Sequence, residues 1–70
     1  MIPAHVSVKE AAEIMGASEQ FVRIGLQRGR LPIGTAVQIA GNNYTYHISA
    51  KLLVDYIGKE PVEQFYKKVG

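Results

Sequence analysis

The sequence predicts a small α+β domain that is mostly α-helical, with the order helix, helix, β-hairpin, helix, helix. Two kinds of observation predict it. Ser7, Ser18 and Ser49 each stand where a helix with apolar periodicity can begin, and serine is a preferred N-terminal cap. Alternating residues flank the tight-turn sequence at 41–43, which is typical of a hairpin. Because 70 residues can bury only one small core, we treat residues 1–70 as a single domain.

The composition restricts the chemistry that this chain can perform. It has no cysteine, which removes disulfides, thiol nucleophiles and thiolate metal sites and fits a reducing compartment. The net charge is only +2, but Arg23, Arg28 and Arg30 fall within one short stretch, which is compatible with an edge that faces phosphates. No apolar run is long enough to span a bilayer, and the first five residues do not resemble a signal peptide. We therefore expect a cytoplasmic protein.

The first predicted helix begins at Val8 and is stopped by Gly16. Ser7 and Glu10 have the spacing of a capping box, and glycine readily adopts the left-handed conformation that ends a helix. Helical spacing places four side chains on the inner face: Val8, Ala11, Ala12 and Met15. The small alanines would let another helix approach closely.

The second predicted helix covers residues 19–28, with Ser18 as its N-terminal cap and Gly29 after its end. Its inner face consists of Val22, Gly25 and Leu26. Glycine inside a helix costs roughly 1 kcal/mol relative to alanine. We therefore expect the alanines of the first helix to lie against Gly25. The outer face carries Gln20, Arg23, Ile24 and Gln27, with Phe21 and Arg28 at its borders.

The second half of the chain predicts a hairpin and two further helices. Strands at 37–39 and 44–48 alternate so that one face holds Val37, Ile39, Tyr44, Tyr46 and Ile48. This face should pack on the helices, because an isolated hairpin is marginal in water. A third helix covers 50–57, and a fourth runs from about Pro61 to Lys68. The fourth helix either caps the core or docks an integrase or a second copy through Phe65 and Tyr66.

Together these segments resemble the MerR-type winged helix-turn-helix, in the small form that phage and transposon excisionases use. The resemblance covers residues 6–57. It depends on Val8-Lys9-Glu10-Ala11-Ala12-Glu13-Ile14-Met15-Gly16 with Ser18, on Val22-Arg23, on Arg28-Gly29-Arg30-Leu31-Pro32 and on Tyr46-His47-Ile48. In similar proteins the second helix enters the DNA major groove and the hairpin, called the wing, touches the backbone or minor groove. The resemblance therefore implies non-catalytic binding of double-stranded DNA, with DNA bending and integrase cooperation, or a role in transcriptional regulation.

By position, the resemblance implies a set of DNA-facing residues: Ser18, Gln20, Phe21, Arg23, Gln27 and Arg28 on the helix, and Asn42 and Asn43 at the wing tip. We add Arg30 to this set because its charge lies just after the end of the helix. Arginine can donate two hydrogen bonds to guanine, and glutamine can pair with adenine. The two arginines near the helix end suit phosphates better than bases, although positive charge there also favours the helix itself. The asparagines are equally what a hairpin turn requires.

Several departures from the family pattern favour a second hypothesis. Ile24 stands where the family is often basic, Gly25 where it is usually bulky, and His47 where it often has arginine. There is no basic residue between Leu31 and Ala50. Ile24 can contact a thymine methyl, the wing or a partner protein. The alternative is therefore a protein-interaction module on the same fold that does not bind DNA.

The sequence offers no constellation for catalysis or metal binding. Asp55 is the only aspartate, and His5 and His47 have no nearby cysteine or aspartate that would complete a zinc site. We therefore expect no enzymatic activity, no cofactor and no metal. On DNA we expect a monomer or a weak, cooperative oligomer.

Overall fold

The computed structural model describes residues 2–69, which form four α-helices and one three-stranded antiparallel sheet. In chain order the elements are β1 (His5–Val6), α1 (Val8–Met15), α2 (Glu19–Gln27), β2 (Gly34–Ala40), β3 (Asn43–Ser49), α3 (Ala50–Ile57) and α4 (Lys59–Val69). About half of the chain is helical, which confirms the predicted α+β class. Within this part of the chain, each helix is too short or too polar to cross a membrane.

The predicted helix caps are confirmed. The Ser7 hydroxyl accepts a hydrogen bond from the Glu10 backbone N–H at 3.0 Å, and the Glu10 carboxylate accepts one from the Ser7 N–H at 3.1 Å. Ser18 and Ser49 each accept from the backbone N–H three residues later, at 3.0 and 3.2 Å. Gly16 ends α1 in the left-handed region, at φ 68°. These bonds satisfy N–H groups that have no partner within the helices, so the starts of α1, α2 and α3 are well defined.

The buried side chains form one cluster to which every helix and strands β1 and β3 contribute. Its members are Val6, Ala11, Ala12, Val22, Leu26, Leu31, Ile33, Ile48, Ala50, Leu53, Val62 and Tyr66. The inner faces predicted for the first two helices are therefore largely correct. Helix α4 packs against α1 and α3 and covers the core with Val62 and Tyr66. Burial of Tyr66 takes it away from the surface that a docked partner would contact.

Strand β1 is an element that the sequence did not predict. It pairs antiparallel with β3, with His5 opposite Ser49 and Val6 opposite Ile48. The strand order is β1-β3-β2, so β3 is the central strand. Val6 and Ile48 are both buried, and their contact attaches the start of the chain to the core. A two-residue strand has no periodicity of its own, so only its partner reveals it.

The hairpin is longer than predicted, and the prediction for one of its faces is wrong. The register places Ala36 opposite Tyr46 and Val37 opposite Thr45, so Val37 shares a face with Thr45 rather than with the tyrosines. Val37 and Ile39 are accordingly 52% and 65% exposed. The cause is the pairing register, which is set by the turn and by an irregularity in β2 just before it.

The neighbour of Gly25 also differs from the prediction, because it is Leu31 rather than the alanines of α1. A β-carbon at Gly25 would lie 3.1 Å from the Leu31 Cβ. Helix α2 ends at Gln27, one residue earlier than predicted, and Gly29 turns the chain with φ 65°. The N–H groups of Arg30 and Leu31 then both donate to the Gly25 carbonyl, at 2.9 and 3.2 Å. The loop therefore folds back onto α2, and Leu31 fills the space that the missing side chain leaves.

Candidate nucleic-acid interface

The residues predicted to face DNA from α2 lie on two different flanks of the helix. With 3.6 residues per turn, Gln20, Arg23 and Gln27 follow one flank. Phe21 and Arg28 follow the other. The buried side chains Val22 and Leu26 lie between the two flanks on the inner side. The first flank faces the hairpin and the second faces α3, as the contacts described next establish.

A hydrogen bond joins the first flank of α2 to the hairpin. The Gln27 side-chain amide donates to the Tyr46 hydroxyl of β3 at 2.6 Å. Tyr46 in turn stacks on Tyr44, with ring centroids 6.2 Å apart and planes inclined by 27°. We call the surface formed by Gln20, Arg23, Gln27, Tyr44 and Tyr46 the hairpin-side surface. The bond from Gln27 holds the polar strip of α2 at a fixed position beside the hairpin.

Arg23 is the basic residue of the hairpin-side surface. Its guanidinium lies 3.4 Å from the Glu19 carboxylate, one turn earlier on α2, and both side chains are nearly half exposed. Exposed ion pairs at this helical spacing contribute less than about 1 kcal/mol. The pairing with Glu19 is therefore weak, and the guanidinium can exchange it for another acceptor.

The predicted tip residues, Asn42 and Asn43, are exposed at the end of the hairpin. Gly41 precedes them with φ 55°, and the Gln38 side-chain amide donates to the Gly41 carbonyl. This hydrogen bond stabilises the turn from within the hairpin. Both asparagine side chains face solvent, where they can donate and accept hydrogen bonds.

The second flank of α2 lines a groove of about 300 Å³, which we call the α2–α3 groove. Its lining residues are Phe21, Ile24, Gly25, Arg28, Arg30, Leu31 and Tyr56. Three residues predicted to face DNA, namely Phe21, Arg28 and Arg30, therefore lie here and not with Arg23 and Gln27. The structure divides the predicted site into two surfaces on opposite flanks of one helix.

Three tyrosines take part in these surfaces although the sequence does not predict them there. Strand alternation predicts that Tyr44 and Tyr46 belong to the core, yet both are only half-buried. A tyrosine whose ring is packed needs a polar partner for its hydroxyl. This requirement is the sequence feature that could have placed Tyr46 beside a polar side chain such as Gln27. Tyr56, which is 49% exposed on α3, gave no signal in the sequence.

The charge at the two surfaces comes from three arginines. Arg28 and Arg30 are exposed and make no ion pair with any of residues 2–69, in contrast to Arg23. In the core, burial raises the pKa of Tyr66 and the charge of Glu10 raises it further. Residues 2–69 contain no cluster of three or more side chains that could hold a metal ion.

Comparison with known proteins finds no matching family model, no matching curated protein and no matching solved structure. Functional conclusions for this chain therefore depend on its own residues and geometry.

Proposed function

We propose that this protein binds double-stranded DNA without catalysing a reaction, and that α1, α2 and the β2–β3 hairpin act as a winged helix-turn-helix. The observation that carries the proposal is the polar strip on α2, whose Gln27 is bonded to Tyr46 of the hairpin at 2.6 Å. A reading helix and a wing must be held in a fixed relation to follow one duplex. This hydrogen bond supplies such a connection.

The dimensions and chemistry of α2 suit the major groove. An α-helix with its side chains is about 10–12 Å in diameter, and the groove is about 12 Å wide. Arg23 can exchange its exposed pairing with Glu19 for two bonds to guanine O6 and N7. The bond to Tyr46 uses only one of the two amide N–H groups of Gln27. The other N–H and the carbonyl have no partner among residues 2–69, and these are the two groups that adenine N7 and N6 require.

Contacts to the DNA backbone would come from the ends of these elements. Ser18 lies at the start of α2, where free N–H groups favour phosphate. The hairpin tip offers Asn42 and Asn43, whose amides can donate to backbone oxygens. Arg28 and Arg30 can reach phosphates beyond the end of α2. The biological role that fits best is that of an excisionase or small transcriptional regulator of a mobile element, with an integrase or recombinase as protein partner.

The first test is the chemical-shift perturbation of the ¹⁵N-labelled protein by a duplex of mixed sequence, followed by selection of tight-binding sequences. Shifts at residues 18–30 and 41–44 are expected. If the duplex causes no chemical-shift changes at these residues and an integrase does, the result supports the alternative of a protein-interaction module that does not bind DNA. Affinity should fall with added salt, with a log–log slope of roughly 0.9 for each phosphate that the protein neutralises.

The second test is the variant Arg23→Ala, with Lys67→Ala on α4 as the matched loss of one positive charge. On a selected duplex, Arg23→Ala should cost about 1–3 kcal/mol of binding free energy and relax preference at one base pair. Lys67→Ala should have a much smaller effect, because α4 packs on α1 and α3. Equal losses for the two variants would mean that the binding depends on overall charge and not on α2.

A further inference from the structure

We propose that the α2–α3 groove binds an acidic amphipathic helix of a partner protein, whether or not α2 reads DNA; the helix would use Arg28 and Arg30 when these side chains are not in contact with phosphates. The groove lies on the flank of α2 that faces away from the hairpin-side surface. It combines an apolar centre with two exposed arginines, and this combination identifies the chemistry of its occupant.

The apolar centre brings together three of the large apolar side chains that are exposed among residues 2–69. Phe21, Ile24 and Tyr56 line the groove and are 53%, 37% and 49% exposed. Leu52, which is 43% exposed, precedes Tyr56 by one turn on the same face of α3. Large side chains exposed together around a concave surface mark interaction sites in soluble proteins. DNA offers little to such a surface beyond the thymine methyl group, whereas a protein helix offers a row of apolar side chains.

The floor of the groove consists of α2 at Gly25 and the loop that packs against it. Gly25 presents no side chain, so Leu31 packs directly on α2 and is only 4% exposed. The bonds from the N–H groups of Arg30 and Leu31 to the Gly25 carbonyl fix this loop. The groove therefore exists before any partner arrives, which reduces the ordering that binding would require.

The charge at the rim selects an acidic partner. Arg28 and Arg30 border the apolar centre, are exposed, and pair with no acidic group among residues 2–69. A helix with apolar residues at i, i+3, i+4 and i+7 and carboxylates beside them would place its anchors in the groove and its charges against the arginines. A basic helix would meet repulsion at the same rim.

The test uses two synthetic fluorescein-labelled helical peptides with the same leucine and phenylalanine positions, one with glutamate elsewhere and its twin with lysine. Fluorescence anisotropy should show that the glutamate peptide binds about tenfold more tightly than the lysine twin. Tyr56→Ser should weaken that binding by about tenfold, since truncating a central aromatic anchor is costly. Val37→Ser, which removes a side chain of similar exposure from the outer face of β2, should leave it unchanged.

Chemical shifts of the ¹⁵N-labelled protein locate the site and check that both variants are folded. Perturbation by the glutamate peptide at Phe21, Leu31 and Tyr56 supports the proposal. Equal affinity for both peptides, binding that Tyr56→Ser does not weaken, or no binding at millimolar peptide overturns it. Shifts at Leu52 and Tyr56 on addition of duplex DNA would assign the groove to nucleic acid and equally overturn it.

Discussion

Gly34 is the position in this chain where a side chain fits least, and Gly34→Ala should be severely destabilising. A β-carbon at Gly34 would lie 2.8 Å from the Ile48 Cα and 2.9 Å from the His47 carbonyl carbon, with the His47 carbonyl oxygen nearer still. These are backbone atoms of β3, the central strand of the sheet. They cannot rotate away as the end of a flexible side chain would. The added methyl group therefore has to push β2 away from β3.

The free-energy cost of this displacement comes from disturbed core packing and from a lost hydrogen bond. Gly34 is paired with Ile48 and follows Ile33, and both isoleucines are almost completely buried. Crowding a packed core typically costs about 1–3 kcal/mol, and a broken hydrogen bond adds about 1 kcal/mol. The reduced entropy of the unfolded chain recovers only about 0.4–1 kcal/mol. The net loss of about 1–4 kcal/mol compares with a total of about 3–5 kcal/mol for a domain of this size. Gly34→Ala should therefore lose between about a fifth and all of the stability of the wild type.

Urea unfolding followed by far-UV circular dichroism measures this loss, and Gly25→Ala is the matched control. A β-carbon at Gly25 would meet only side-chain atoms of Leu31, the nearest at 3.1 Å. The gain in helix propensity of about 1 kcal/mol opposes that mild crowding. We expect Gly25→Ala to stay within about 1 kcal/mol of the wild type. Wild-type stability in Gly34→Ala, or a larger loss in Gly25→Ala, would refute the argument that the backbone of β3 is the obstacle.

Three further substitutions test individual groups. Glu19→Gln removes the carboxylate beside Arg23, so duplex affinity at low salt should rise about two- to fivefold, and less at high salt; weaker binding in an anisotropy titration contradicts this. Tyr66→Phe should leave stability unchanged or raise it by up to about 1 kcal/mol near neutral pH, because the Tyr66 hydroxyl is buried without a partner among residues 2–69. Ser7→Ala should cost about 1 kcal/mol through loss of the α1 capping box, measured by urea unfolding.

The Tyr66 variant also has a pH signature with a defined sign. Burial, with the charge of Glu10, raises the pKa of Tyr66 in the folded protein above its ordinary value of 10.0. The unfolded chain therefore releases this proton first, and the contribution of Tyr66 to stability is complete below the unfolded pKa and is lost as the pH rises through the folded pKa. Urea midpoints at about pH 8 and about pH 11 should fall further in the wild type than in Tyr66→Phe. Parallel falls in both proteins would mean that other groups account for the alkaline loss.

The features that the sequence predicted correctly are those whose signals lie within a few residues. Each cap joins residues that are three positions apart in the sequence. The pairs are Ser7 with Glu10, Ser18 with Phe21 and Ser49 with Leu52. The buried pair Val22 and Leu26 follows from one turn of helix. Such features depend on local hydrogen bonds and helical geometry, which neighbouring residues determine.

The features that the sequence did not predict depend on pairings between distant residues. Val6 joins a strand only because Ile48 lies opposite it, and Val37 faces solvent because the register pairs it with Thr45. Leu31, the neighbour of Gly25, likewise belongs to a loop that folds back onto α2. At the candidate site, helical spacing identified which side chains of α2 are exposed. It did not reveal that the hairpin lies beside one flank and α3 beside the other, so one predicted interface became two surfaces.

The pairing of β1 with β3 has a consequence for how the protein is made. Residues 5 and 6 leave the ribosome early, but their partners at 48 and 49 are translated more than forty residues later. Helix α4, which covers the core, is translated after them. The nascent chain therefore exposes the apolar faces of α1 and α2 until the residues of α4 have left the ribosome. Slower elongation would prolong that exposure and increase the demand for chaperones.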